Sequence, residues 1–227
     1  MVKRIGRFEG SVGWSKLDVF EQCAARFFWQ YVYDGPRIPA PVNQAFVKGT
    51  RVHENLDQWL NGKHPAICLE AMPMRAELNH LKKSKPRTEE AWAFDEGFEP
   101  KPIGFKAGDW IRAKIDALVV MAKSAIVIDF KTGKNRGAGG EQPRFYAALT
   151  LIREPKVMTV QPEFWYLEHG KIAQGELVHR KELPALKILY KRRLMKIYEE
   201  KTWAETPGQM CHWCDFSKGR GGPCEKA

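Results

Sequence analysis

Two aspartates and a lysine in the middle of the 227-residue chain are spaced in a way that suits metal-dependent hydrolysis. Asp116 lies in a run of β-branched and small apolar residues, and Asp129 and Lys131 end a second such run. If the runs pair as antiparallel strands around a turn at Ala122 and Lys123, Asp116 lies directly opposite Asp129. Opposed side chains have Cβ atoms roughly 5 Å apart, so the two carboxylates repel unless a cation lies between them.

A divalent cation is the usual partner of such a carboxylate pair, because Mg²⁺ is held by one or two carboxylates and keeps several waters. Lys131 follows Asp129 by two residues and therefore lies on the same face of the strand. A metal lowers the pKa of its bound water, and a neighbouring ammonium can orient that water or stabilise charge. The pattern indicates phosphodiester hydrolysis. The alternative is a hairpin whose charges only keep it soluble.

The apolar residues between these charges support the same pairing of strands 110–120 and 125–131. The register sets apolar residues against each other on one face: Ile115 with Phe130, Ala117 with Ile128 and Val119 with Ile126. On the other face it sets Lys114 opposite Lys131, and Lys114 is a candidate contact for a DNA phosphate. A shift of one residue would mix the two faces, so the alternation favours this register.

The net charge narrows the class of partner. Lys and Arg number 37 against 27 Asp and Glu, and the isoelectric point is about 9.4. This balance favours a polyanion such as nucleic acid, and less strongly an acidic membrane surface. No apolar run approaches the roughly eighteen residues of a membrane span, and the basic N-terminus lacks the apolar core of a signal peptide. We therefore expect an intracellular, cytoplasmic protein.

Helices and further strands are expected around the central pair. Helices are predicted at 15–33, 43–60, 141–151 and 183–203, with two helical pieces in 74–93 separated by Pro86. Strands are predicted at 98–106, 157–167 and 171–178. A capping box at Ser15 would open the first helix, and Cys23 would lie inside it. His53 falls in the second helix, where a histidine is more often a packing residue than a ligand.

Four of the five cysteines form a second candidate site. Cys211 and Cys214 make a C-x2-C pair, Cys224 follows ten residues later, and Cys23 is the best candidate for a fourth ligand. In an intracellular protein such thiols are more often metal ligands than disulfides. Four thiolates suit either a structural zinc or an iron–sulfur cluster, and the spacing does not separate them. Either group would join the two ends of the chain and favour a single domain.

Further basic residues are candidates for contacts with a nucleic acid backbone. They are Lys134 and Arg136 in a glycine-rich turn, Arg144 on the helix that follows it, and Lys191, Arg192 and Arg193 on the polar side of the last helix. A solvated helix face accounts equally well for the last three.

Together these motifs resemble the PD-(D/E)xK nucleases of the RecB-like branch, and they are similar to the small CRISPR-associated adaptation exonucleases. The resemblance spans the chain from Ser15 to Cys224. The motifs that carry it, besides Asp116 and the C-terminal cysteines, are C-x-x-R-F at Cys23–Phe27, G-x-x-x-H at Gly49–His53, D-x-K-T-G at Asp129–Gly133 and Q-x-x-x-Y at Gln142–Tyr146.

The resemblance implies specific roles for these residues. One or two Mg²⁺ or Mn²⁺ ions would be held by His53, Asp116, Asp129 and the carbonyl of Phe130. Lys131 would position the attacking water, while Gln142 and Tyr146 would steady the site or the DNA strand.

For the rest of the chain, the resemblance implies a restriction-endonuclease-like α/β fold, with a mixed central sheet flanked by helices. A 4Fe–4S cluster on Cys23, Cys211, Cys214 and Cys224 would join the N- and C-terminal helical parts. Zinc stays open, because the gap between Cys214 and Cys224 is longer than is usual in the family. The chain would form one nuclease domain, with a helical part at 11–95, the catalytic sheet at 96–180 and the last helix and cysteines at 181–227.

The expected function is a metal-dependent DNA exonuclease that acts on single-stranded ends in recombination and repair, phage DNA processing or CRISPR adaptation. One alternative is a DNA-end-binding adaptor with little cleavage, and another is a structure-specific or RNA-directed endonuclease. The phosphate-binding motif of helicases, G-x-x-x-x-G-K-[ST], is absent from the sequence. Any unwinding is therefore expected to come from a partner such as a helicase. A phage-encoded origin would suit the small size of the protein.

Overall fold

The computed structural model describes residues 6–36, 44–102, 104, 106, 108–133 and 140–225. Lys134 and Arg136, two of the predicted DNA contacts, lie outside these ranges. No helix within them has the length and apolar character needed to cross a membrane. The chain forms two compact units, one made of Asn43–Ile188 and the other of Met1–Val42 together with Leu189–Ala227.

The elements alternate between helices and strands. The helices are α1 (Trp14–Gln22), α2 (Ala24–Tyr31), α3 (Gln44–Leu60), α4 (Arg75–Lys83), α5 (Glu141–Arg153) and α6 (Leu183–Glu199). The strands are β1 (Arg87–Phe94), β2 (Ile111–Val120), β3 (Ser124–Lys131), β4 (Thr159–Tyr166), β5 (Lys171–Gln174) and β6 (Val178–His179). Short 3₁₀ helices occur at Leu69–Met74, Leu167–His169, Arg180–Glu182, Gln209–Trp213 and Lys218–Arg220.

A six-stranded mixed sheet organises the unit of Asn43–Ile188. The strand order is β1-β2-β3-β4-β5, and β6 also pairs with β4. The β3–β4 pair is parallel and all the others are antiparallel. Helix α5 lies between β3 and β4 in the chain, which supplies the crossover that a parallel pair needs. The prediction of an α/β fold with a mixed sheet flanked by helices is confirmed.

The central hairpin has the register that the sequence predicts. Ala117 pairs with Ile128 and Val119 with Ile126. This ladder runs no further than the pair of Ala117 and Ile128, one step before Asp116 and Asp129. The backbone N–H of Phe130 donates instead to the Asp116 carboxylate, at 2.7 Å. The pairing therefore ends one step before the two acidic residues.

The apolar face of the hairpin is buried beneath α3 and α4. It shares one core cluster with the buried sides of those helices: Val52, Leu56, Trp59, Leu60, Leu78, Leu81, Ala117, Ile128, Phe130 and Trp165. Because strand side chains alternate, Asp129 and Lys131 point away from this cluster, and Lys131 reaches α5 on the other face. The core thus holds α3 at the sheet while the polar residues of β3 face α5.

Two predicted elements in this unit are wrong. The second helical piece of 74–93 is strand β1, which begins directly after Pro86. The strand predicted at 98–106 is not formed in the described part of that segment. A tight turn there has the Asp95 carboxylate accepting the N–H of Glu99, and Phe98 adopts a left-handed φ of 65°. Two prolines at 100 and 102 further remove the donors that a strand would need.

An aromatic core holds the unit that contains both chain ends. Trp203, which is fully buried, stacks on Phe27 with ring centroids 5.8 Å apart and donates its indole N–H to the Gly6 carbonyl at 3.0 Å. Helix α6 ends at Glu199, whereas the sequence predicted that it would run to Trp203. The Glu200 carboxylate accepts the backbone N–H groups of residues 201, 202 and 203, which turns the chain out of the helix.

The first predicted helix is two helices in the same unit. Cys23 separates α1 from α2 with an extended backbone, φ −164° and ψ 112°, so it does not lie inside a helix as predicted. The Ser15 capping box is also absent, because α1 begins one residue earlier, at Trp14, after Gly13. The division of the chain into one nuclease domain with three parts stays a prediction.

Candidate functional site

Asp116 lies at the centre of the cluster of polar residues at the end of the β2–β3 hairpin. Its side chain is buried, with the residue 9% exposed. One carboxylate oxygen accepts the N–H of Phe130 at 2.7 Å, and the other lies 3.1 Å from Nδ1 of His53 on α3. Two different elements, β3 and α3, therefore hold this carboxylate.

Lys131 connects Asp129 to helix α5. Its ammonium lies 2.5 Å from the Asp129 carboxylate and 3.3 Å from the side-chain oxygen of Gln142. The side-chain amide of Gln142 in turn donates to the Tyr146 hydroxyl at 3.4 Å. Lys131 also packs over the ring of Phe164, with 4.6 Å from the ammonium to the ring centroid. All six predicted metal and catalytic side chains thus lie in this one unit of the protein.

The electrostatics of the site are those of excess buried negative charge. Burial, and next the charge of Asp116, raise the pKa of Asp129 to about 6, although Lys131 acts in the opposite direction. Burial alone would lower the pKa of His53. The hydrogen bond to Asp116 and the charges of the surrounding carboxylates outweigh it and raise that pKa. Burial and the charge of Asp129 also raise the pKa of Tyr146. A bound cation would stabilise the ionised carboxylates.

Glu89 of β1 joins this site, although the sequence interpretation did not include it. Among the residues that the structure describes, His53, Glu89 and Asp116 form the one group of three or more potential ligands whose atoms lie within 4.8 Å of one another. Nδ1 of His53 lies 3.1 Å from Asp116 and 4.0 Å from Glu89. Ligands bonded at about 2.1 Å in an octahedron are roughly 3 to 4.2 Å apart. The group can therefore hold a divalent cation.

The signal for Glu89 was hidden by the wrong assignment of its segment. Its charged neighbours suggested a helix, in which Glu89 would have had no relation to the hairpin. As a strand, β1 pairs Thr88 with Ala117 and Glu90 with Ile115, which sets Glu89 beside Asp116. Only the pairing of β1 with β2 could have revealed it.

Most of the predicted DNA contacts that the structure describes are ion-paired. Lys114 lies across from Ala91 on β1, not opposite Lys131, because the β2–β3 ladder ends before it reaches that position. Its ammonium contacts Glu89. Arg144 pairs with Glu182 at 3.3 Å, and Arg193 pairs with Glu21 at 2.6 Å. Lys191 and Arg192 are exposed on α6.

An open pocket leads from solvent to His53. Its lining includes Thr50, Glu54, Glu89 and Lys114, and the aromatic ring of Phe46 lies on its wall. Phe46 is 72% exposed, which is unusual for an aromatic residue at the edge of a polar site. The pocket therefore combines charged groups with an apolar surface.

The four predicted cysteine ligands line one pocket in the unit that contains both chain ends. The pocket is bounded by Cys23, Cys211, Cys214 and Cys224 together with Arg26, Trp29 and Phe216. In the described chain, no three of the four sulfur atoms lie within 4.8 Å of one another. A zinc tetrahedron with bonds of about 2.3 Å has sulfur–sulfur edges of about 3.8 Å. The fifth cysteine, Cys68, belongs to the other unit.

The chain is similar to solved structures and to one family model. The crystal structure of the protein SSO0001 shares 14% identity, covers 100% of this chain and 89% of its own, and has a TM-score of 0.44. A crystal structure from Eubacterium rectale, provisionally described as an exonuclease, shares 10% identity, covers 90% and 88%, and has a TM-score of 0.45. No curated protein matches significantly. The family model of the PD-(D/E)XK nuclease superfamily matches residues 11–218, and the chain therefore belongs to that superfamily.

Proposed function

We propose that the protein is a metal-dependent deoxyribonuclease that removes nucleotides from single-stranded DNA ends. The observation that carries this proposal is the convergence of Asp116, Asp129 and Lys131 with His53 at one end of the β2–β3 hairpin. A pure DNA-binding module would gain nothing from buried carboxylates that face an anionic ligand. The net charge of +10 supports a polyanionic substrate.

The proposed metal ligands are His53, Asp116, Asp129 and the carbonyl of Phe130. They fit a divalent cation because the site is short of positive charge, as the raised pKa of Asp129 indicates. Mg²⁺ or Mn²⁺, once bound, would lower the pKa of a coordinated water and offset the charge of the phosphate.

The protein's own groups would orient the reaction. The Lys131 ammonium, held by Asp129 and Gln142, is placed to position the attacking water and to stabilise charge that develops on the phosphate. Tyr146 fixes Gln142 through their hydrogen bond and so limits the freedom of the lysine. Because the pKa of Asp129 is near 6 in the metal-free protein, its carboxylate is ionised at neutral pH.

The exposed ring of Phe46 supports the preference for single strands. Unpaired bases stack on exposed aromatic side chains, whereas the bases of a duplex are already stacked on one another. Phe46 lies on the wall of the pocket that leads to His53. A base next to the scissile phosphate could therefore rest on this ring.

We further propose that the cysteines Cys23, Cys211, Cys214 and Cys224 bind a 4Fe–4S cluster, with zinc as the alternative. Their shared pocket supports a common ligand, and four thiolates suit an iron–sulfur cluster as well as zinc. Cys23 has an extended backbone between α1 and α2, although its N–H still donates to the Val19 carbonyl at 3.0 Å and its own carbonyl accepts the N–H of Phe27 at 3.1 Å.

The proposed setting is inside the cell, in DNA recombination and repair, phage DNA processing or CRISPR adaptation. This setting rests on the motif resemblance to RecB-like and CRISPR-associated exonucleases. Because the sequence has no helicase phosphate-binding motif, we propose that a helicase or another partner supplies single-stranded ends.

Asp116→Asn, Asp129→Asn and Lys131→Met are each expected to lower the cleavage of a linear single-stranded oligonucleotide by about a hundredfold or more, because each removes a metal ligand or the positioning ammonium. Product formation with Mn²⁺ is the measurement. Asp34→Asn and Lys123→Met, which change exposed residues outside the site, serve as matched controls.

Cleavage that survives in all three site variants would rule out the assignment. A closed circular single strand should stay intact and a blunt duplex should be cut more slowly. Rapid cutting of the circle would identify an endonuclease instead.

The raised pKa of Asp129 predicts a specific pH dependence for the metal-free protein. Between the unfolded carboxyl pKa, about 3.9, and the folded value, about 6, the folded state binds more protons, so stability falls as pH rises. Asp129→Asn should therefore be more stable than the wild type by roughly 3 kcal/mol at pH 7.5, and this difference should shrink towards pH 4. Urea unfolding in EDTA measures it.

The control is the same urea unfolding experiment with Mn²⁺ in place of EDTA. At pH 7.5 the metal should stabilise the wild type and have little effect on the variant, because the variant lacks a ligand. A wild-type-to-variant difference that is constant from pH 4 to pH 7.5 would contradict the proposed burial of charge.

Anaerobically purified protein is expected to be brown and to contain about four iron atoms and acid-labile sulfide per chain. Cys23→Ser and Cys214→Ser should lose both, since each removes one of four ligands. Cys68→Ser, the change of a cysteine outside the pocket, should keep them. A colourless wild type with one zinc would refute the cluster and support the alternative.

A further inference from the structure

The contact between Glu89 and Lys114 indicates how the site takes up its metal. This inference rests on the proposed nuclease function. We propose that Glu89 is a further ligand of the divalent cation, and that the Lys114 ammonium occupies its carboxylate when no metal is bound. The metal and the lysine would then compete for one carboxylate.

The position of Glu89 fits a ligand. Its carboxylate is the third member of the group with His53 and Asp116, all within 4.8 Å. The distances from Nδ1 of His53, 3.1 Å to Asp116 and 4.0 Å to Glu89, are close to those of neighbouring and opposite ligands around one ion. The three residues come from α3, β1 and β2, so three separately packed elements bring their side chains to one point.

The conformation of Glu89 is consistent with a side chain directed to a site. Thr88 and Glu90 keep their ladder partners on β2, whereas Glu89 between them has a left-handed φ of 52°. Such a φ is uncommon for a residue other than glycine. Its side chain is only 17% exposed, although it lies on the strand at the edge of the sheet.

Lys114 supplies the second, independent observation. Its ammonium contacts the Glu89 carboxylate while its side chain remains 58% exposed. Lys114 precedes Asp116 by two residues on β2, so both side chains project from the same face of the strand. A positive charge therefore already lies on the carboxylate that a metal would use. Metal uptake would displace it and leave the ammonium available for a DNA phosphate.

This arrangement predicts opposite effects for the two residues. Removal of the Glu89 charge takes away a ligand, and metal binding weakens. Removal of the Lys114 charge takes away the competitor, and metal binding tightens. A lysine that served only to bind DNA, away from this carboxylate, would leave the metal affinity unchanged.

Mn²⁺ is the appropriate probe because an imidazole nitrogen with carboxylate oxygens suits it better than Mg²⁺, which prefers oxygen ligands alone. Its dissociation constant is measured by electron paramagnetic resonance on the full-length protein without DNA. The variants are Glu89→Gln and Lys114→Met. Their controls are Glu54→Gln, which removes a charge from the same pocket outside the ligand group, and Lys123→Met at the distant hairpin turn.

We expect Glu89→Gln to weaken Mn²⁺ binding by about tenfold or more, the cost of losing even an outer-shell partner, and Lys114→Met to tighten it severalfold. The two controls should stay within about twofold of the wild type. The proposal would be overturned if Glu89→Gln bound Mn²⁺ as well as Glu54→Gln does. It would also be overturned if Lys114→Met left Mn²⁺ affinity unchanged or weakened it. Thermal unfolding of the metal-free variants checks that each is folded.

Failure of the proposed role of Glu89 can be distinguished from failure of the proposed nuclease function. If Glu89→Gln binds Mn²⁺ normally while Asp129→Asn abolishes cleavage, the nuclease assignment stands and the role of Glu89 falls. If the wild type binds no Mn²⁺, both fall together.

Discussion

The burial of two like-charged carboxylates, those of Asp116 and Asp129, at the end of one hairpin is the constraint on which the rest of the site depends. Burial, and next the charge of Asp116, raise the pKa of Asp129. The protein offsets the negative charge with the ammonium of Lys131, the backbone N–H of Phe130 and the imidazole of His53. A bound divalent cation would offset the remaining negative charge of the two carboxylates. The same cation would supply the proposed chemistry.

The fold supplies this site from both faces of the sheet. The cluster that contains Leu56 and Ile128 fixes α3 on one face, and with it His53. On the other face, Gln142 and Tyr146 of α5 hold Lys131. The crossover through α5, which the parallel pairing of β3 and β4 requires, therefore also provides the residues that orient the lysine.

The hairpin, α3 and α5 could be predicted because their signals are local. The period of two around Asp116 and Asp129 admits one register, and the helices carry clear motifs. What was missed depends on distant contacts. Residues before Pro86 and after it look equally charged, and only pairing with β2 makes the second half a strand. Cys23 leaves the helix through its own backbone conformation, which the surrounding helix-forming residues conceal. Glu89 required both the correct strand and its register.

The most direct test of the account is an anomalous difference map from crystals soaked in Mn²⁺. It addresses the central claim that Asp116 and Asp129 share one cation, without any assay of activity. We expect one peak at the end of the β2–β3 hairpin, within about 2.3 Å of a carboxylate oxygen from each aspartate. A peak that touches only one of them, or no peak in the unit of Asn43–Ile188, would contradict it.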